Sequence, residues 1–234
     1  MDIQVSLPAD TDLAKLASVQ NQVRERYPIS QERQDWEIQA IANIGDSQPE
    51  VSQSGGVVGY MFSPPAPRLD RMFQSRLNGF TFSKFKPYEN WKVFQSEAKE
   101  LWDIYAEVAR PVQVERLALR TVNSLNLPLP FDDFKEYLLT TPEVAPGIPS
   151  NLAQFLMQLA IPQPGGEMAV ITSAMQPLQQ PNLPFVTIIF DIDVFVEQIF
   201  SPNSISIWER CEDLRRVRND IFFKSLTEKA KELF

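Results

Sequence analysis

The sequence predicts an α+β protein, a curved antiparallel sheet with helices packed on one face. Three observations carry this. Apolar residues alternate at period two in several short runs. One stretch, residues 89–109, repeats them at three- and four-residue steps. Asn78-Gly79 between two apolar runs marks a hairpin.

The elements follow in order. Ile3 to Leu7 reads as a short strand that Pro8 ends. Asp10 or Thr11 can cap a helix to Tyr27, with Leu13, Leu16, Val19 or Gln20, and Val23 inward. Trp36, Ile38, Ala40 and Ala42 form one face of a strand, and Gly, Ser, Gln, Asp and Pro make 45–56 a solvent loop. Val57 to Phe62 is a strand, and a hairpin over 68–85 places Phe80 and Phe82 on one face.

Trp91, Phe94, Ala98, Leu101, Trp102, Tyr105 and Val108 then form the stripe of a long helix, which Arg110-Pro111 ends. Val112 to Leu125 is a long strand. Two short helices are expected at 131–139 and 151–160, the second capped by Ser150. Strands at 167–175 and 185–192 flank a Gln/Pro loop. A helix over 204–223 and a short one capped by Thr227 close the chain. The whole reads as one domain, 1–234. Its pseudo-halves, 1–110 and 111–234, suggest a degenerate β-α-β-α duplication.

Composition narrows the chemistry. With 234 residues, 44% of them hydrophobic and 11% aromatic, the chain can bury a large core. Nineteen prolines against eight glycines imply stiff loop entries. A net charge of -8 makes nucleic acid an unfavoured partner, because phosphate affinity comes from Lys and Arg, and it suits a protein partner instead. Histidine is absent and Cys211 is the one cysteine, which removes imidazole bases, nucleophile–histidine pairs and the common zinc and iron–sulfur ligand sets. No cofactor and no catalytic residue is expected. The start Met1-Asp2-Ile3-Gln4 lacks a signal-peptide pattern, and no apolar run reaches the ~20 residues a membrane helix needs, so a cytoplasmic location is expected.

Four stretches carry a resemblance. They are Phe80-Thr81-Phe82-Ser83 into Pro87-Tyr88-Glu89-Asn90-Trp91, Arg116-Leu117-Ala118-Leu119-Arg120-Thr121-Val122-Asn123, Phe190-Asp191-Ile192-Asp193, and Phe222 to Thr227. In their order the chain resembles a sporadically distributed prokaryotic family of unknown function, whose signature strand is R-[IL]-x-[IL]-R-[YF]-[IV]-N. Thr121 stands at the aromatic position of that motif. The resemblance implies no activity or site residues. The patchy distribution of the family implies an association with mobile defence or toxin–antitoxin-like modules.

Among charged residues, Arg116 and Arg120 are the anion-binding candidates. Guanidinium forks suit phosphate or carboxylate, while the plainer alternative is interior ion pairs with acids. Asp191, Asp193 and Glu197 are a weak metal alternative, the plainer reading being a turn cap and an arginine partner. Arg210, Arg215, Arg216 and Arg218 read better as a solvated helix face paired with Glu209, Glu212 and Asp213 than as a nucleic-acid footprint. The aromatic stripe with Phe80, Phe82 and Phe85 reads as core, and less well as a ligand cavity. The expected function is a non-enzymatic binding or regulatory protein acting through a protein partner. The alternatives are a metal-dependent enzyme on phosphate esters or nucleic acid, and a small-ligand sensor.

Overall fold

The computed structural model describes residues 1–41, 50–149, 152–176 and 183–233, with 36–41 and 50–54 described by their backbone alone. Among the described residues nine strands are present: β1 (Asp2–Ser6), β2 (Ile29–Ile41), β3 (Glu50–Ser63), β4 (Arg71–Arg76), β5 (Gly79–Lys84), β6 (Gln113–Pro128), β7 (Phe155–Pro162), β8 (Met168–Met175) and β9 (Phe185–Phe200). The helices are α1 (Leu13–Ala17), α2 (Gln20–Val23), α3 (Trp91–Ala109), α4 (Ser206–Lys224) and α5 (Glu228–Lys231). The strands pair antiparallel, in the order β2-β3-β4-β5-β1 for the first five and β6-β9-β8-β7 for the last four, and the protein is of the α+β class.

The chain divides into two compact units, Met1–Arg116 with Gln198–Ser204, and Leu117–Glu197 with Ile205–Phe234. In the first unit, β1 pairs with β5 through Ile3↔Phe80, and β4 pairs with β5 through Phe73↔Phe82. Phe62↔Phe73 carries the same face into β3. Ile3, Phe62, Phe73, Phe80 and Phe82 are all fully buried, and α3 packs on this face. Its Trp102 meets Phe80 edge-on at 5.9 Å, and its Phe94 lies 5.0 Å from Phe82. Asn90 caps the helix by accepting from Val93 N, and Arg110 ends it in the left-handed region at φ 50°. The expected stripe is therefore core: Phe94, Leu101, Trp102 and Tyr105 are buried and Trp91 half-buried. Phe85 lies outside it, exposed. Gly59 permits the close β3–β4 pairing, since a Cβ there would stand 2.2 Å from the Ser75 carbonyl oxygen.

The second unit begins on β6, runs through one 3-10 turn at Phe134–Glu136, then pairs β7 with β8 and β8 with β9 before α4. Ile188, Ile192 and Val194 of β9 are buried, as are Ile207, Cys211 and Leu214 of α4. In both units the first strand lies beside the last strand of the run that follows, β1 beside β5 and β6 beside β9.

Four expectations need correction. The helix drawn to Tyr27 is two short pieces, the first capped by Asp12 rather than by Asp10 or Thr11. Residues 50–56 belong to β3, paired residue by residue with β2, although their Gly, Ser and Gln content suggested a loop. The helix drawn at 131–139 shrinks to the 3-10 turn, held by a capping box of Asp133 and Glu136. The helix drawn at 151–160 is instead β7, with Phe155 to Pro162 each opposite a β8 residue. Ser150, the centre of the Gln/Pro loop at 177–182 and the side chains of Trp36, Ile38, Ala40 and Ala42 lie outside the described residues.

Candidate functional site

The two signature arginines project from β6 at positions four residues apart, about 13 Å along a strand. They meet different acids. Arg120 holds Asp191 of β9 with Nε at 2.9 Å from Oδ1 and Nη2 at 2.5 Å from Oδ2. Asp191 is buried while the Arg120 side chain is 63% exposed, so the guanidinium lies over its carboxylate like a lid. Hydrogen bonding to Asp191 raises the Arg120 pKa further above its ordinary value. Arg116 approaches Asp2 of β1 at 3.7 Å, and Asp2 also accepts from Arg76 at 2.5 Å and Thr81 at 2.6 Å. Each fork is thus turned toward a carboxylate.

The acids do not converge. Asp191, Asp193 and Glu197 all stand in β9, which continues to Phe200, so the turn that would have gathered them is absent. Six residues of strand put Asp191 and Glu197 about 20 Å apart. Among the described residues no group of three or more acidic or cysteine side chains is arranged to hold a metal ion.

The basic cluster of α4 is paired locally. Arg215 bonds Glu212 and Arg216 bonds Asp213, each three residues back on the helix. Arg218 donates to Thr121 Oγ1 at 2.8 Å and tethers α4 to β6. Arg210 reaches Glu167 at 2.7 Å and the Gly165 carbonyl at 2.8 Å, pinning the β7–β8 hairpin to α4. In the first unit, Asp70 accepts from Arg71 at 2.9 Å and Lys84 at 2.5 Å. These bonds hold its carboxyl well below the usual carboxylate range. Arg71 and Tyr27 in turn both donate to Glu97 of α3.

What the structure adds is a pocket in the second unit, under the C-terminal end of α4 rather than under α3. Its volume is about 350 Å³. Met157, Leu159 and Ile161 of β7 wall one side, Ile171, Ser173 and Phe190 form the floor, and Ile221 of α4 closes the top. Asp220 and Lys224 stand at the mouth, paired with each other at 2.8 Å. Ser173 is 2% exposed and its hydroxyl has no hydrogen-bond partner among the described residues. Sequence reasoning passed over Ser173, since a serine in Ile171-Thr172-Ser173-Ala174 carries no signal.

The strand that walls the pocket is also the last of the sheet. From Phe155 to Ile161, β7 holds neither a charge nor a proline, and among the described residues no strand but β8 pairs with it. Leu156, on the face away from the pocket, is 73% exposed. Sheet edges are commonly guarded by Lys, Pro or a bulge, and β7 between Phe155 and Ile161 has no Lys or Pro. Among the described residues no helix is long and apolar enough to cross a membrane. No protein-family model, no curated protein and no solved structure matches the chain.

Proposed function

We propose that the chain is a non-enzymatic binding or regulatory protein that acts through a protein partner, and that the partner pairs along the outer edge of β7. The observation that carries this reading is the uncharged, proline-free edge from Phe155 to Ile161. An unpaired strand edge offers a row of backbone donors and acceptors. An extended partner segment satisfies them while its alternate side chains pack on the sheet face. The net charge of -8 favours a partner that is basic outside the pairing segment. The signature-strand resemblance supports a setting in a mobile defence or toxin–antitoxin-like module.

Metal-dependent chemistry on phosphate esters finds less support. Its three acids are strung along one strand, and its two arginines face separate carboxylates.

The test is capture of partners from the native host with the unaltered chain and with a Leu156→Lys, Ala160→Lys variant. Both substitutions lie on the β7 face away from the pocket, where added charge opposes strand addition. The expected result is a partner lost by the variant, whose melting temperature stays within about 3 °C of the parent, the surface-substitution range. A partner retained undiminished would count against the β7 edge.

A further inference from the structure

We propose that the pocket under α4 is a binding site for a small, uncharged, mainly apolar molecule carrying one hydrogen-bonding group. The volume of about 350 Å³ falls at the lower end of the usual range for small-ligand sites, roughly 300–1,000 Å³. Most of the wall is apolar, from Leu138, Met157, Leu159, Ile171, Phe190 and Ile221, so the main favourable contribution is burial of apolar surface.

The polar requirement comes from Ser173. The residue lines the pocket, its hydroxyl is buried with no hydrogen-bond partner among the described residues, and a buried hydroxyl without a partner is a standing destabilisation. A single water there would leave the apolar surfaces of Ile171 and Phe190 uncovered, even though Thr140 and Gln163 also line the pocket. The Ser225 hydroxyl, also at the wall, already donates its proton to the Ile221 carbonyl. A ligand with one acceptor or donor set in an apolar body satisfies Ser173 once a χ1 rotation turns its hydroxyl into the cavity, and fills the remaining space.

The absence of ligand charge follows from the mouth. Lys224 and Asp220 neutralise one another there, so neither an anion nor a cation gains a net field on entry. A charged group would also lose its hydration among the apolar walls.

The experiment uses two probes of nearly equal shape, naphthalene and 1-naphthol, which is uncharged at pH 7. Binding is measured by titration to the intact chain. The unaltered protein is expected to bind one equivalent of 1-naphthol saturably. Leu159→Trp, which fills the pocket from β7, is expected to weaken both probes at least tenfold. Ser173→Ala is expected to lower the ratio of 1-naphthol to naphthalene affinity about tenfold while leaving naphthalene binding nearly unchanged. Circular dichroism and melting confirm that each variant is folded. If Leu159→Trp does not fold, the Ser173→Ala ratio decides alone. Non-saturable binding to the unaltered protein, or a ratio unmoved by Ser173→Ala, would overturn the proposal. Neither outcome bears on the β7 edge, since the titration involves no partner.

Discussion

The guanidinium of Arg210 stands 2.7 Å from the carboxylate of Glu167, a side chain 4% exposed, and ties the β7–β8 hairpin to α4. The same arginine donates to the Gly165 carbonyl at the hairpin turn, so one side chain fixes the whole loop. Replacing Arg210 with Met strands the buried carboxylate and is expected to cost about 3–5 kcal/mol. The double change Arg210→Met, Glu167→Leu is expected to recover much of that. Urea midpoints of the two variants and the parent check this, and equal loss in both would refute the strut.

Arg120 and Asp191 give a second, smaller test. Arg120→Met leaves Asp191 buried without its bidentate partner and is expected to lower stability by about 1–3 kcal/mol, less than at Arg210 because the guanidinium is largely in water. Melting with and without added phosphate or nucleotides distinguishes this from an anion site. The expected shift is the same in both conditions. A variant that kept its stability and lost a nucleotide-induced rise would restore the anion-site reading.

Trp102 packs on Phe80 and donates to the Pro202 carbonyl at 3.2 Å. Trp102→Ala empties a fully buried site and is expected to cost about 3–5 kcal/mol in urea denaturation. A loss under 1 kcal/mol would mean that α3 does not cover the sheet face of its unit.

Asp70 sets a pH dependence. Its folded pKa is lowered by hydrogen bonds from Arg71 and Lys84, so its contribution to stability is fully present above the unfolded value near 3.9. The contribution is lost as pH falls below that value toward the folded pKa. Asp70→Asn is therefore expected to reduce stability at pH 7 and to flatten the acid limb between about pH 4 and 2. Denaturant midpoints of both proteins across that window provide the measurement. An unchanged acid limb would show that another carboxylate controls it.

The elements legible in the sequence are those whose local preference and tertiary environment agree. The α3 stripe repeats over nineteen residues, and the hairpin at Asn78-Gly79 needs only its turn dipeptide and its alternating phenylalanines. β7 failed for the opposite reason. Leu156, Met157, Gln158, Leu159 and Ala160 are all good helix formers, and only pairing with β8 makes them a strand. Asp191 is legible as an arginine partner because an arginine among the small apolar residues of β6 needs a carboxylate. Glu167 and Arg210 are not, since the hairpin that joins them depends on β7, whose residues favour a helix locally. The pocket depends on β7, β8 and the end of α4 meeting, which no single stretch announces.

Cys211 gains a use from its burial. The thiol is 1% exposed on α4, and burial pushes its pKa up to about 12, so in the closed protein it is nearly inert at neutral pH. A thiol reagent can reach it only when α4 lifts from the sheet. The labelling rate, divided by that of the unfolded chain, then gives the equilibrium constant for that opening when reclosing is fast. The chain thus carries a clock for the detachment of the helix that roofs the pocket. With no second cysteine to label, the signal needs no engineering to interpret.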